Sequence, residues 1–593
     1  MSGITSLYVG VSGLKSSQNA INTTSHNLAN VNTEGYVRQQ VVFADTNYIN
    51  KGYSGSATNQ VGLGVNFQDV RRVREILLDK AFRTESGRRS FYEEQQQAVD
   101  EAQEILGELN GVPFGDYMSE LWKAIQEVEK DPSSIVSRSS LIQNAVAFIT
   151  RAEAVYDGFV NYQSTLNTEV VNKVNRINEI GERIFALNKE IAGIEGTGIE
   201  NANDLRDERD NLLDELSGLI RTEYTEDETG IIRVRTEGVL FVDNSSVNYM
   251  GYAMLDTADN SDYYTPTWPL LGGRKVFNLE VEISTPKAND IGSLKGVLLA
   301  RGSSVADYRD IPDPADPKYQ LTDGAGNFIY DYAADLDKYR RLVEPSAIKS
   351  VMAEFDQLIH CIVEKVNNVL CPDIAATEAG LNAGDTLTAA DGSTITVTQD
   401  MKVLDRANAG YGSDDNKTQG AELFSRKYTE RYTEYEDASG NKYMVYNTLN
   451  EFGLESLYKL GNLEVNKAVL NDRDLLGFKT AAGEVDQQRA NKLADEWNTP
   501  YLKLGPDYVS YESFIEYYSE FVGQIGNTGD LVNGMISYQD SLANGIDNQR
   551  LSITGVSSQE ELAYLIQFQS AYNAASRYIT VIDQMLEHIV TRL

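Results

Sequence analysis

The sequence of 593 residues contains only two cysteines and three histidines. Cys361 and Cys371 can form at most one disulfide, so the fold does not depend on a disulfide framework. The apolar periodicity around Cys361 predicts that this thiol is buried in a helix. None of the histidines, which are His26, His360 and His588, begins a His-Glu-x-x-His motif. This argues against a zinc site built on histidine.

Signatures of catalysis and of membrane targeting are also missing. The sequence has no Gly-x-Ser-x-Gly nucleophile motif and no Gly-x-x-x-x-Gly-Lys phosphate loop. No long apolar run follows a basic start, so we expect neither a cleaved signal peptide nor a membrane-spanning helix. We therefore expect no enzyme activity, no cofactor and no metal ion. One alternative stays open, because 88 aspartates and glutamates could include a glycosidase-like pair of carboxyls.

Positive charge is scarce, and the negative charge is unevenly distributed. The net charge is −36, which argues against nucleic acid as a partner, because phosphate binding needs a cationic surface. In residues 1–50, Lys15 and Arg38 balance Glu34 and Asp45, and residues 550–593 contain three basic and four acidic side chains. Near-neutral ends can pack closely while an acidic middle stays solvated, so the distribution indicates assembly through the termini.

Both ends of the chain carry a heptad pattern of apolar residues. Steps of three and four place these side chains on one helix face, as in a coiled-coil seam. Gln18 and Ser25 interrupt the N-terminal seam, and Gly10 and Gly13 beside it each cost the helix about 1 kcal/mol relative to alanine. We predict that the two helices pair, that they are poorly ordered and exposed in the free chain, and that neighbouring subunits cover them. The predicted assembly residues are Ile4, Leu7, Val11, Leu14, Ile21 and Leu28, together with Leu565, Phe568, Tyr572, Ile579, Ile582, Leu586 and Ile589.

Between the ends, helical and strand patterns alternate. Helical periodicity begins near Arg88, and an unusually long helical pattern runs over 133–194. A charged helix is predicted over 203–216, with its charges on a solvated face, and an apolar one over 346–370. Strand patterns occupy 231–242, and hairpin turns are predicted at Asp391-Gly392 and at Ser439-Gly440-Asn441.

These patterns predict a multidomain α+β fold, with paired terminal coiled-coil helices, a long-helix rod domain and outer β-rich domains. Each predicted domain corresponds to one change of pattern along the chain. The domains are a terminal coiled-coil layer (1–60 with 550–593), a helical rod domain (61–200 with 511–549), a β-rich domain with a returning helix (201–371) and an outer surface insertion (372–510).

Residues 25–39, Ser-His-Asn-Leu-Ala-Asn-Val-Asn-Thr-Glu-Gly-Tyr-Val-Arg-Gln, closely resemble the N-terminal signature of bacterial flagellar axial proteins, the rod, hook and hook-associated family. Three further stretches are similar to the hook-associated protein 1 family, the first junction proteins between hook and filament. They are residues 180–191, 201–217 and 548–577. The resemblance covers the two ends of the chain and fades across 372–510.

The resemblance implies a structural protein that connects hook to filament by ring assembly through its terminal helices. It implies four kinds of partner: further copies of the chain, the hook protein, the second hook–filament junction protein, and an export chaperone on the C-terminal helix. It also implies an extracellular, flagellar location that is reached by type III export without a cleaved signal peptide. The alternatives are a hook or distal rod structural protein, and an exported hydrolase.

Overall fold

The structure is a computed structural model. Side chains are not described at 2–4, 49–54, 57–61 and 592, so the predicted assembly residue Ile4 lies outside the described side chains. The described residues are 2–54, 57–107, 111–196, 198, 200–255, 262–321 and 328–592.

The first and last helices of the chain pack against each other. They are α1 (Ser2–Ala29) and α12 (Ser558–Arg592). Two antiparallel strand pairs follow α1, and the first of them, β1 with β4, also packs on α1. The predicted pairing of the terminal helices is confirmed. The strands are β1 (Gln39–Asp45), β2 (Tyr48–Ser54), β3 (Ala57–Gly62) and β4 (Val65–Arg72).

Long helices form the central part of the molecule. The longest, α4, has 61 residues and is therefore about 90 Å long. Its buried apolar residues recur along its whole length, which confirms the long helix predicted over 133–194. The helices of this part are α2 (Ile76–Leu106), α3 (Phe114–Lys130), α4 (Ile135–Glu195), α5 (Asn203–Leu219) and α11 (Phe514–Thr554), and α11 packs along α2.

Helix α2 begins at Ile76, three turns before the start that the sequence predicted near Arg88. Its first turns bury Asp79, Arg83 and Gly87 instead of apolar side chains. A search for hydrophobic periodicity misses such a helix, because its buried face is held by ion pairs.

Two small antiparallel sheets and three helices follow α5. The predicted strands over 231–242 are confirmed and are joined by a two-residue turn at Glu237 and Gly238, which both have positive φ as a tight hairpin requires. The strands are β5 (Thr222–Glu226), β6 (Ile232–Thr236), β7 (Val239–Val242), β8 (Gly251–Met254), β9 (Tyr264–Trp268) and β10 (Arg274–Lys275). The helices are α6 (Ser293–Arg301), α7 (Tyr332–Leu342) and α8 (Ala347–Leu370).

Residues 372–510 contain a six-stranded sheet with its own small core, built around Leu387, Val403 and Val445. Both predicted hairpin turns are confirmed, since they join β12 to β13 and β16 to β17. The later part packs on the helices, where Trp497 stacks on Trp122 at 5.6 Å between ring centroids. The elements are β11 (Asp373–Ala375), β12 (Thr386–Ala389), β13 (Thr394–Thr396), β14 (Lys402–Leu404), β15 (Phe424–Arg426), β16 (Tyr432–Glu436), β17 (Lys442–Tyr446), β18 (Leu463–Val465), α9 (Lys467–Asn471) and α10 (Gln487–Asn498).

The two cysteines are free thiols in the interior. Cys361 lies in α8, as predicted, and Cys371 follows directly after it. Burial raises the pKa of each thiol to about 12. Both therefore stay protonated and unreactive at neutral pH.

A buried carboxyl in α8 gives a first testable prediction. Burial raises the pKa of Glu354 to about 8, from an ordinary value of 4.5. A carboxyl that holds its proton more tightly in the folded chain stabilises the fold at low pH, and this contribution is lost as the pH rises towards 8. We therefore expect Glu354→Gln to unfold at nearly the native temperature at pH 5 and at a higher temperature than the native chain at pH 9.

Thermal unfolding of both chains between pH 5 and pH 9, followed by circular dichroism, measures this difference. Glu520→Gln on the exposed side of α11 is the matched control, and its melting curve should follow that of the native chain at every pH. A constant offset between Glu354→Gln and the native chain across this range would show that Glu354 does not titrate there.

Candidate assembly surface

The heptad pattern of α12 coincides with its burial against α1. From Leu565 to Leu586, the seam positions are partly or fully buried, whereas nearly all other positions of this stretch are exposed. Ile582 is only 5% exposed, so the expectation that it is exposed in the single chain is wrong. Ile589 lies beyond the covered stretch and is 55% exposed. The buried or partly buried seam residues are Leu565, Phe568, Tyr572, Ala575, Ile579, Ile582 and Leu586.

The most buried face of α1 is offset by one residue from the predicted seam. Val11 is 37% exposed, Gln18 and Ser25 are exposed, and the larger side chains of the predicted seam are only partly covered. Those partly covered side chains are Leu7, Leu14, Ile21 and Leu28. The face offset by one residue, here called the small-residue face, consists of the half-buried Gly13 and the buried residues Gly10, Ser17, Ala20, Thr24 and Asn27.

Close approach of the two helices explains the small-residue face. A Cβ atom at Gly10 would lie 2.7 Å from Cγ1 of Ile579, which is closer than real Cβ contacts. A Cβ atom at Gly13 would lie 3.7 Å from Cβ of Ala575, an ordinary van der Waals contact. Apolar periodicity marks large side chains, so it misses a helix face on which small residues let the backbones meet.

These two glycines give a matched pair of substitutions. Gly13→Ala is expected to stabilise the terminal pair by about 1 kcal/mol, because alanine is the better helix former and its methyl group fits. Gly10→Ala is expected to destabilise the pair by about 1–3 kcal/mol, because the methyl group overlaps Ile579. Amide hydrogen exchange in α1 and α12 should slow in the first variant and accelerate in the second. Equal amide protection in Gly13→Ala and Gly10→Ala would contradict the close packing of Gly10 against Ile579.

Asn27 connects α1 to the first strand and to α12. Its Nδ2 donates hydrogen bonds to the backbone oxygen of Gln39 at 2.8 Å and to Oε2 of Glu561 at 3.0 Å. Its Oδ1 accepts from the backbone N–H of Gln39 at 3.0 Å and from the Tyr36 hydroxyl at 2.9 Å. The sequence analysis did not single out this asparagine, although it lies inside the family signature.

Arg38 makes the second connection between the signature and α12. Its Nε donates to Oε1 of Glu561 at 2.9 Å, and its guanidinium lies over the ring of Tyr564 at 5.6 Å. Its backbone N–H donates to the oxygen of Thr554 at the end of α11 at 2.8 Å. The signature segment is therefore held to both C-terminal helices.

A cluster of four arginines and four aspartates lies where the terminal pair meets the long helices. Asp210 is central to it, because it accepts from Nη1 of Arg72 at 2.7 Å and from Nη1 of Arg74 at 2.8 Å. Burial alone would raise the pKa of Asp210, but the surrounding guanidinium groups, led by Arg74, hold that pKa below its ordinary value. The members of this arginine–aspartate cluster are Arg72, Arg74, Arg83, Arg550, Asp79, Asp207, Asp210 and Asp214.

The prediction that the charges of 203–216 lie on a solvated face is wrong for Asp207 and Asp210. They are 6% and 7% exposed. The sequence does contain a signal for this, because Asp207, Asp210 and Asp214 are spaced by three and four residues and share one face of α5. Three carboxylates on one buried face require cations opposite them, and Arg72 is the last residue of β4, with Arg74 two residues beyond it.

Three of the four stretches that carry the family resemblance, 25–39, 201–217 and 548–577, meet at this cluster. The backbone N–H of Val37 donates to Oδ2 of Asp207 at 3.0 Å, and Nδ2 of Asn203 donates to the oxygen of Val70 at 3.0 Å. Nη1 of Arg550 donates to Oδ2 of Asp214 at 2.6 Å. The cluster thus fixes the terminal helices relative to the long helices.

Two strips of apolar side chains stay uncovered on the C-terminal helices. Their steps of three and four residues place each strip on one helix face. Between residues 562 and 582 the only charged side chain of α12 is Arg577, so little opposes close packing there. The α12 strip is Tyr578, Val581, Met585 and Ile589, and the α11 strip is Leu531, Met535, Tyr538 and Leu542; all eight side chains are at least 36% exposed.

Within the described residues, no helix is both long and apolar enough to cross a membrane. The same part of the chain holds no group of three or more His, Cys, Asp or Glu side chains arranged to bind a metal ion.

Comparison with known proteins finds matches to flagellar axial proteins at both ends and in the middle of the chain. The model for the flagellar hook-associated protein FlgK helical domain matches residues 99–313. Models for the basal body rod protein and for the C-terminal part of the rod proteins FlgEFG match residues 7–36 and 547–592. The flagellar hook-associated protein 1 of Bacillus subtilis is 23% identical over 99% of this chain and 98% of its own length. The chain is similar to the flagellar hook-associated proteins over nearly its whole length.

Other hook-associated proteins are similar over the same extent. The hook-associated protein 1 of Escherichia coli is 22% identical, with 98% of each chain covered. The solved structure of the flagellar hook junction protein FlgK from Burkholderia pseudomallei aligns with 81% of this chain and all of that one, at 12% identity and a TM-score of 0.44.

The similarity to hook-associated proteins indicates a structural role in the flagellum rather than catalysis. The family models also correspond to the structural division. The two models of rod proteins match the packed ends, α1 with its signature and α12 with the end of α11. The helical-domain model spans α3, α4 and α5 and the sheets that follow them.

Proposed function

We propose that the protein is the first structural junction between the hook and the filament, and that it assembles as a ring through its terminal helices. The observation that carries this proposal is the α12 strip, an uncovered apolar face on a helix whose other apolar face is already packed on α1. Monomeric proteins rarely expose contiguous apolar surface of this kind without a partner. A neighbouring copy of the same chain would cover it.

The predicted assembly residues divide into two groups under this proposal. The seam residues from Leu565 to Leu586 pack α12 against α1 within one subunit. They therefore support the helix that carries the assembly surface. Val11 and Ile589 are exposed and are available to a neighbouring subunit. The expectation that the terminal helices are poorly ordered in the free chain stays a prediction, and rapid amide exchange in α1 and α12 of the monomer would support it.

The further partners follow from a position between hook and filament. We propose that the ring contacts the hook protein below and the second hook–filament junction protein above. An export chaperone would bind the apolar face of α12 before assembly, since an amphipathic helix is commonly held by that face. We also propose an extracellular location that is reached by type III export without a cleaved signal peptide.

Electron microscopy of flagella from a strain that lacks this protein tests the proposal. Hooks without filaments, restored by the native chain, are the expected result. Absence of the hooks as well would favour a hook or distal rod protein, whose ends would match the same rod-protein models. Cleared zones on peptidoglycan or casein gels would favour the exported hydrolase instead.

A further inference from the structure

A cavity of about 330 Å³ lies between α6, α7 and the strands β9 and β10. Much of its wall is apolar, with Phe277, Leu279, Leu298, Leu299 and Leu342 among the lining residues. Its volume is at the lower end of the range for sites that bind small organic molecules. No step of the assembly described above uses this cavity.

Arg301, the last residue of α6, lies in the wall of this cavity and is only 1% exposed. Its Nε donates to the oxygen of Gly302 at 3.1 Å and its Nη1 to Oδ1 of Asn167 at 2.6 Å, and its guanidinium lies over the ring of Tyr263 at 4.9 Å. Among the described residues no carboxylate forms an ion pair with it, and its side-chain hydrogen bonds there come from Nε and Nη1. Burial lowers the pKa of Arg301 to about 10.

A role as a helix cap does not account for this arginine. Ser346 donates to the oxygen of Ala300 at 3.1 Å, and Gln163 donates to the oxygen of Arg301 itself at 2.7 Å. The N–H of Gly302 binds the oxygen of Leu298. The carbonyl groups at the end of α6 thus have other donors, and within the described part of the chain the guanidinium is a buried charge without a counter-ion, which is costly.

The rest of the lining also favours an anion. Lys275 and Arg341 lie at the rim, and both are exposed. Glu280 is the one carboxylate among the described lining residues, and it lies 3.6 Å from Arg341. Three cationic side chains around one cavity are unusual in a chain with a net charge of −36.

We propose that this cavity binds a small amphiphilic carboxylate, whose carboxylate group pairs with Arg301 and whose aliphatic chain lies against Phe277 and Leu298. A carboxylate can accept two hydrogen bonds from a guanidinium and supplies the missing counter-ion. An aliphatic chain covers the apolar wall, which an inorganic anion would leave uncovered. One molecule would then both pair with Arg301 and cover the apolar wall.

Calorimetric titration of the native full-length chain with octanoate tests this. We expect octanoate to bind, and to bind at least about tenfold more tightly than 1-octanol or inorganic phosphate. Equal binding of 1-octanol would mean an apolar pocket without a role for Arg301. Equal binding of phosphate would mean an anion site without a role for the apolar wall. Absence of octanoate binding overturns the proposal, and none of these outcomes depends on a variant.

A matched pair of variants then locates the carboxylate. Arg301→Met, which keeps the length of the side chain without its charge, should weaken octanoate binding at least about tenfold. Arg341→Met at the exposed rim should leave binding nearly unchanged. Equal affinity of the native chain and Arg301→Met would overturn the assignment of the carboxylate to Arg301.

Discussion

Replacing Val581 with aspartate is expected to abolish filament attachment while the single chain stays folded. Val581 is 46% exposed in the middle of the α12 strip, so a charge there remains solvated in the monomer. In the assembled ring the same charge would lie in an apolar contact between subunits and would cost several kcal/mol. Every subunit carries the substitution, so the cost repeats around the ring. Swimming in soft agar and electron microscopy of hooks measure the result.

The neighbouring substitution, Ile582→Asp, should fail for a different reason. Ile582 is 5% exposed and packs within the α1–α12 pair, so aspartate there disrupts the pair inside one subunit. We expect faster amide exchange in both terminal helices of Ile582→Asp, with unchanged protection in α4 and α8. Val581→Asp should show native exchange throughout the monomer.

Gln584→Asp controls for charge alone, because Gln584 is exposed and belongs to neither apolar face. It should be motile. Motility of Val581→Asp equal to that of Gln584→Asp would refute the assignment of the α12 strip to subunit contact. Native exchange in Ile582→Asp would mean that α12 is not packed on α1 in the free chain.

The elements that the sequence predicted well are those whose structure follows from local chemistry. The length of α4 follows from sustained apolar periodicity, and the hairpin turns at 391–392 and 439–441 follow from Asp-Gly and Ser-Gly-Asn. The heptad of α12 predicted its buried face down to Leu586. Each of these elements follows from the local sequence, either from a period of apolar residues or from a turn with positive φ. Each therefore needs few distant partners.

The elements that the sequence did not predict depend on distant polar partners or on small residues. The start of α2 is held by ion pairs of Asp79 with Arg550 and of Arg83 with Asp214, and these partners lie in α11 and α5, so no local period of apolar residues marks it. The small-residue face of α1 is buried because Gly10 admits Ile579, and glycine carries no hydrophobic signal. The pairing of the terminal helices was therefore predicted correctly, whereas the face of α1 that packs is offset by one residue from the predicted one.

Asp210→Asn is expected to have the largest effect on the stability of the joint between the terminal helices and the long helices. The substitution keeps the shape of the side chain but removes the charge that Arg72 and Arg74 contact at 2.7 and 2.8 Å. Removal of one member of a buried ion pair typically costs about 3–5 kcal/mol, because it leaves the other charge without compensation. We expect a lower melting temperature at pH 7 and faster amide exchange in α1 and α5.

The pH dependence separates loss of charge from loss of packing. Because the folded-state pKa of Asp210 is lowered, its contribution is fully present above the ordinary aspartate value of 3.8 and is lost as the pH falls further towards the folded-state pKa. The melting temperatures of the native chain and Asp210→Asn should therefore converge below pH 4. Glu208→Gln, on the same helix but in a half-exposed pair with Arg183, should cost less than about 1 kcal/mol at any pH. If Asp210→Asn is no less stable than Glu208→Gln at pH 7, the cluster does not hold the terminal helices against the long helices, and other contacts, such as the hydrogen bond from the Arg38 N–H to the oxygen of Thr554 in α11, must do so instead.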